Sequence, residues 1–194
     1  MPRPQCPRCQ RPSSHCLCSL IPSLDSSTLV LILQHPSETA HALNTARLAA
    51  LGLVNAQLRV GEAVKLPADE RNNYLLFPGG DAIPLERLAG SERPLRLIVP
   101  DGTWRKARRL LHLNPELAAL PRVSLPAGLG SRYRLRKAPA PGALSTIEAI
   151  VTALNMLEGE GRFDQLLRPF EALIDAQIAA MGVETYQRNH GDDG

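Results

Sequence analysis

The chain has 194 residues, 44% hydrophobic and only 4% aromatic, with a formal net charge of +3. That length holds one domain of ordinary size plus a small appendage, and the apolar share suffices for an aliphatic core. No apolar run approaches the ~20 residues that span a bilayer, and Met1-Pro2-Arg3-Pro4-Gln5-Cys6 lacks the charged-then-apolar pattern of a signal peptide. A soluble cytoplasmic protein is therefore expected, with no membrane contact and no obligate protein partner.

All four cysteines fall between residues 6 and 18, as Cys6-Pro-Arg-Cys9 and Cys16-Leu-Cys18. The first pair has the C-x-x-C spacing that turns two thiolates toward one ion, and the second supplies two sulfurs from one turn. Four clustered thiolates in a chain without a secretion signal predict a structural Zn2+ site with ligands Cys6, Cys9, Cys16 and Cys18 rather than disulfides. A closed four-cysteine shell has no open position for catalysis. The segment's expected role is to present Arg8 and Arg11 or to brace the N-terminus against the main domain.

Thr28-Leu-Val-Leu-Ile-Leu33 reads as a central parallel strand, apolar on both faces. It leads through Gln34-His35-Pro36-Ser37-Glu38 into a helix expected from about Glu38 to Leu51, closed by Gly52 as a C-cap. Further strands are expected at Val54–Val60, at Tyr74–Phe77 ending in Pro78-Gly79-Gly80, and at Leu95–Val99. The last leads through Pro100-Asp101-Gly102-Thr103-Trp104 into a basic helix ending near Leu113, broken by Asn114-Pro115. Arg122–Leu125 reads as one more strand, and residues 126–141, rich in Gly, Pro and Arg, as a loop that orders on binding. Ser145-Thr-Ile-Glu148 has the capping-box pattern and opens a helix to about Leu157. A final amphipathic helix runs from about Phe163 to Met181, with Pro169 as a kink or a late first-turn residue, and the chain after Gly182 reads as a frayed tail. Alternating strands and helices predict an α/β fold with a mainly parallel sheet. The expected division is a zinc-knuckle segment at 1–24, a catalytic domain at 25–182 and a tail at 183–194.

Charge is unevenly spread. Residues 105–137 carry nine basic residues against one acid, Glu116, whereas the stretch from Glu158 onward carries eight acids against three arginines. A basic front and an acidic back suit a polyanion ligand. Arg105, Lys106, Arg108, Arg109, Arg132 and Arg134 are the candidate RNA-phosphate contacts, with Arg136 beside them. His35 is either a further phosphate contact or the residue that fixes the turn with Pro36. His41 and His112 show no partner pattern and read as surface side chains.

In a parallel sheet the loops carrying His35, Phe77-Pro78-Gly79 and Asp101-Gly102-Thr103-Trp104 share one edge, where open α/β sheets bind ligands. Neither G-x-G-x-x-G nor a P-loop is present, and there is no G-x-S-x-G elbow. Taken without its neighbours, the Asp101 loop is explained equally by Asp101 or Thr103 capping the helix and Trp104 filling core.

The set C-x-x-C…C-x-C, H-P-x-E, N-T, a strand ending Phe-Pro-Gly, D-G-T-W followed by basic residues, Y-R-L-R-K and S-T-x-E-A resembles the DTW-domain family, in order, over residues 6–157. The resemblance implies a transferase that moves the 3-amino-3-carboxypropyl group of S-adenosylmethionine to N3 of a tRNA uridine and releases methylthioadenosine. It also implies kinship with SPOUT-type enzymes, hence a C-terminal trefoil knot. On that basis Asp101, Thr103 and Trp104 form the catalytic loop. Asp101 acts as general base on uridine N3 or holds the base in register, and Trp104 stacks on the base or packs under the loop. Phe77, Pro78, Gly79, Leu144, Ser145 and Thr146 are expected around the adenosine. Arg136 or Lys137 would face the carboxylate of the transferred arm and Glu148 its ammonium, although Glu148 equally serves the capping box. The alternatives are a SPOUT-type RNA methyltransferase and a non-catalytic zinc-containing RNA-binding protein.

Overall fold

A computed structural model describes residues 4–135 and 143–190; the sequence-predicted contacts Arg136 and Lys137 lie outside them. Six strands, β1 (Leu29–Gln34), β2 (Ala56–Val60), β3 (Asn72–Leu76), β4 (Ile83–Pro84), β5 (Leu95–Asp101) and β6 (Arg122–Ser124), form one sheet in the order β2-β1-β5-β3-β6-β4. Every strand pair is parallel, as the alternation of strands and helices predicts. The helices are α1 (Thr45–Gly52), α2 (Trp104–Leu113), α3 (Pro115–Ala118), α4 (Thr146–Glu158), α5 (Leu167–Met181) and α6 (Val183–His190). Among the described residues no helix is long and apolar enough to cross a membrane.

The sheet is covered on both faces, which explains why β1 is apolar throughout instead of alternating. Val30, Ile32, Leu97 and Val99 meet α1, α4 and α5 through Ala46, Ile150, Leu154 and Phe170. Leu31, Leu33, Leu75 and Ile98 meet α2 and α3 through Ala107, Leu111 and Leu117. The four central residues of β1, Val30–Leu33, are fully buried, each worth about 1.5–3 kcal/mol relative to exposure. Cys9, Leu17 and Ile21 join the first of these clusters, so the cysteine-rich segment is packed on the domain.

Several elements differ from the sequence expectation. The helix expected from Glu38 starts only at Thr45, because Pro36–Glu38 forms a single 3-10 turn and the Asn44 side chain then caps α1 by accepting from Arg47 N–H. Gly52 is the last residue of α1 rather than a left-handed cap; a Cβ there would stand 2.5 Å from Leu166 Cδ2, so its function is close packing. Pro169 is the third residue of α5, within the first turn, where a missing N–H costs no helical bond. The two-residue edge strand β4 had no sequence signal, and its proline is tolerated because the edge needs no donor there. Residues 183–190, expected to fray, form α6, and Tyr186 donates its hydroxyl to the Arg134 carbonyl at 3.3 Å.

Candidate active site

The connection after β1 runs to β2 on one side and the connection after β5 runs to β6 on the other. The crevice between the carboxyl ends of β1 and β5 is thus a topological switch point, the usual ligand position in open α/β sheets. Gln34 and Asp101 are directly paired there in register. A cavity of about 900 Å³ opens over them, within the size range of small-molecule sites. Its wall includes Phe77 and Pro78 after β3, Asp101 to Trp104 after β5, Ser124 and Leu125 at β6, and Leu144 to Thr146 at the start of α4. Glu38 and Asn44 from the connection after β1 line it too, so parts of all three strand-end loops picked out in the sequence reach one cavity, joined by the capping-box segment, while His35 and Gly79 are not among its lining residues.

Asp101 is 8% exposed. Its Oδ1 accepts from Thr146 Oγ1 at 2.5 Å and its Oδ2 from Gln34 Nε2 at 2.8 Å. Burial pushes its carboxyl above the ordinary range; Thr146 and Gln34 act against that rise, Glu38 adds to it and His41 opposes it. A buried carboxylate with a raised pKa beside a cavity marks a candidate acid–base group. Asp101 does not cap α2. Thr103 does, accepting from Lys106 N–H at 3.4 Å. Gly102 between them has φ +145°, a backbone that side-chain-bearing residues rarely adopt, and this turn lets Asp101 stay with the strand while Thr103 starts the helix.

Trp104 is 38% exposed and sets its ring against Phe77 at 5.4 Å between centroids and 61° between planes. It is not core: one edge is braced and the rest lines the cavity. Glu148 is buried and accepts from Ser145 N–H and Oγ, from Ser131 Oγ and from Arg132 N–H. Its carboxylate both completes the capping box and clamps the basic loop before α4.

The basic residues are partitioned. Lys106 pairs with Glu38 at 2.5 Å, Arg109 with Glu62 at 2.9 Å, Arg132 with Glu171 at 2.6 Å, and Arg134 with Asp175. Arg105 and Arg108 project from the exposed face of α2, and among the described residues neither has an ion-pair partner. His35 accepts from Ser37 N–H at Nδ1 and stands 3.0 Å from Glu62 at Nε2, so its ring fixes the turn after β1. His41 is exposed at the cavity margin.

The four cysteine sulfurs lie within 4.8 Å of one another and could hold a metal ion. Cys6 and Cys18 sulfurs are 3.6 Å apart, Cys9 and Cys16 3.8 Å. Four sulfurs about 2.3 Å from one tetrahedral ion stand roughly 3.8 Å apart, whereas a disulfide requires about 2.05 Å. Backbone amides of Cys9 and Arg8 favour the Cys6 thiolate. Arg11 donates to the Ala42 carbonyl at 2.8 Å, tying the segment to the loop before α1.

Sequence reading assigned no role to Gln34. Its signal was a polar residue closing an otherwise apolar buried strand, but its partner lies 67 positions away.

The sequence model of the DTW domain matches residues 3–178. The chain belongs to the DTW-domain family. It is 33% identical to tRNA-uridine aminocarboxypropyltransferase 2 of Drosophila melanogaster, over 94% of this chain and 78% of that protein. It is 32% identical to tRNA-uridine aminocarboxypropyltransferase 2 of Mus musculus, over 91% of this chain and 64% of the mouse protein, and 28% identical to tRNA-uridine aminocarboxypropyltransferase A of Arabidopsis thaliana, over 80% and 73%. This DTW-domain chain thus spans under two thirds of the mouse relative's length. No solved structure gives a significant match.

Proposed function

We propose that this DTW-domain protein transfers the 3-amino-3-carboxypropyl group of S-adenosylmethionine to N3 of a tRNA uridine. The observation that carries the reading is the Asp101 carboxylate, buried at the β1–β5 crevice yet lining the cavity, in a chain similar to named tRNA-uridine aminocarboxypropyltransferases over most of its length. The cavity suits the cofactor in chemistry: apolar surface from Phe77, Pro78 and Leu144, and backbone and hydroxyl groups of Ser145 and Thr146. When bound, S-adenosylmethionine supplies a γ-carbon activated by the sulfonium and leaves as methylthioadenosine.

Uridine N3–H is a weak acid and attacks only after losing its proton. In this reading Asp101 takes that proton, the N3 lone pair forms the new N–C bond, and the C–S bond electrons return to sulfur. Trp104 holds the uridine by stacking from its exposed face, and Gly102 and Thr103 set the loop that presents both. Arg105 and Arg108 contact phosphates directly, while Lys106, Arg109, Arg132 and Arg134 exchange their carboxylate partners for phosphate. Phe77, Pro78, Gly79, Leu144, Ser145 and Thr146 surround the adenosine, and Arg136 meets the carboxylate of the transferred arm. Glu148 serves that half of the site by holding the loop that leads to Arg136. Selection of the γ-carbon over the methyl is a matter of positioning, since one sulfonium activates both.

The metal held by Cys6, Cys9, Cys16 and Cys18 is Zn2+, in a structural role, within a knuckle spanning residues 1–24 and packed on the catalytic domain. The all-parallel sheet supports the SPOUT-type plan, of which a C-terminal trefoil knot is part.

Incubating the purified protein with S-adenosylmethionine and tRNA tests the activity. Methylthioadenosine must appear in proportion to aminocarboxypropyl-uridine in the digested tRNA; S-adenosylhomocysteine in its place indicates methyl transfer, and no turnover with no affinity for S-adenosylmethionine indicates a binding protein.

A further inference from the structure

Gln34 closes β1 as a fully buried amide, and each of its polar atoms is engaged. Its Nε2 donates to Asp101 Oδ2 at 2.8 Å and to Asn44 Oδ1 at 3.1 Å, and its Oε1 accepts from Asn44 Nδ2 at 3.4 Å. The polarity of this chain is imposed from outside. Asn44 Oδ1 already accepts the Arg47 backbone N–H that starts α1, so the Asn44 atom 3.1 Å from Gln34 Nε2 is an acceptor. Gln34 must then present nitrogen, and the second hydrogen of that nitrogen reaches Asp101. On the other side Thr146, the first residue of α4, donates its hydroxyl to Asp101 Oδ1. An amide buried at the end of an apolar strand carries a desolvation cost that a leucine would not.

We propose that Gln34 is a positioning residue which, with Thr146, fixes the plane of the Asp101 carboxylate and directs its remaining lone pairs into the cavity. The inference rests on the assignment of Asp101 as the base acting on uridine N3. Each donor uses one lone pair of one oxygen and leaves the other pair of each oxygen for a proton. The titratable groups facing the carboxylate are Glu38 and His41 from the loop after β1. Lys106 on α2 is paired to that Glu38, and Tyr133 lines the cavity from the loop before α4. Leu76 and Phe77 at the end of β3 and Val123 and Ser124 of β6, on the same wall, do not titrate.

Donors to an ionised carboxylate favour the charged form, so removing one raises the pH at which Asp101 takes a proton. A base functions only when ionised, and activity must therefore be lost at higher pH on the acid side. The experiment is a carbon-13 titration of the Asp101 carboxyl in the full chain, together with kcat/KM against pH. Gln34→Leu and Thr146→Val each move the Asp101 titration and the acid limb upward together, by about one pH unit, and Thr146→Ser restores both. Thr146→Val keeps the test open should Gln34→Leu not fold. Unchanged titrations and acid limbs in folded variants, with Asp101→Asn inactive, overturn this inference and leave the base assignment standing. Full turnover in Asp101→Asn overturns the base assignment and this inference with it.

Discussion

Asp101→Asn separates chemistry from folding because the surrounding polarity admits an amide. Gln34 Nε2 has to remain a donor, since Asn44 Oδ1 is committed to α1, so the new Asn Oδ1 must face Gln34. The new Nδ2 then faces Thr146, whose hydroxyl is the one partner able to reverse from donor to acceptor. The hydrogen bonds to Gln34 and Thr146 are both kept, and the freed Thr146 hydroxyl hydrogen can turn to the cavity that Thr146 lines. Loss of a general base lowers turnover by roughly two to four orders of magnitude, equivalent to about 2.7–5.4 kcal/mol in the barrier. Stability moves the other way. The folded-state carboxyl titrates above its unfolded value because of burial, so wild type binds more protons folded than unfolded and loses stability as pH rises through that interval. The neutral amide escapes this loss. The melting temperature of Asp101→Asn should equal or exceed that of wild type at pH 8, and the advantage should shrink on acidification below the folded-state value. The assay pairs mass spectrometry of tRNA nucleosides after single-turnover incubation with melting curves at pH 5 and pH 8. Turnover within about threefold of wild type refutes the argument; so does an inactive variant that has also lost its fold.

Other predictions address the metal, the RNA face and the tryptophan. Purified protein should carry one zinc per chain by elemental analysis; chelation should expose amides of residues 4–20 to hydrogen exchange, and Cys9→Ser, which puts a polar group at a buried position, should do the same without chelator. Retained protection after metal removal would count against a structural ion. For RNA, the double variant Arg105→Gln/Arg108→Gln removes the two α2 cations that have no ion-pair partner among the described residues, and should flatten the log–log salt slope of tRNA binding by roughly 1.4–1.8. An unaltered slope places the phosphates elsewhere. Trp104→Ala should weaken binding of uridine-containing RNA by about 1–3 kcal/mol, and because the ring is 38% exposed its melting temperature should change by a few degrees only. A collapse in stability with unchanged RNA affinity would instead assign Trp104 to packing.

Much of the scaffold was legible because its signals are local. The apolar runs at Leu29–Leu33 and Leu95–Val99, the basic helix after Asp101-Gly102-Thr103 and the Ser145–Glu148 capping box each depend on residues within about four positions, and each appears in the structure, which also decides between Asp101 and Thr103 as the cap in favour of Thr103. The helix expected from Glu38 starts later for a non-local reason: the apolar pattern extends upstream, but the Asn44 cap and the Arg11 bond to Ala42 hold the loop out of it. Ion pairing was hidden too, since Glu38 and Glu62 meet Lys106 and Arg109 only when α2 packs over the ends of β1 and β2.

By itself the sequence determined where β1, β5, α2, α4 and α5 form, though not β4, α6 or the start of α1, and that four sulfurs lie close along the chain. Propensity, capping and spacing act between near neighbours, and near neighbours can be read in order. The tertiary structure alone decided that β1 lies beside β5, so that Gln34 meets Asp101, and that α4 brings Thr146 to the other carboxylate oxygen. Strand order follows from covering both faces of the sheet at once, a condition on the whole chain, and no window of residues contains it.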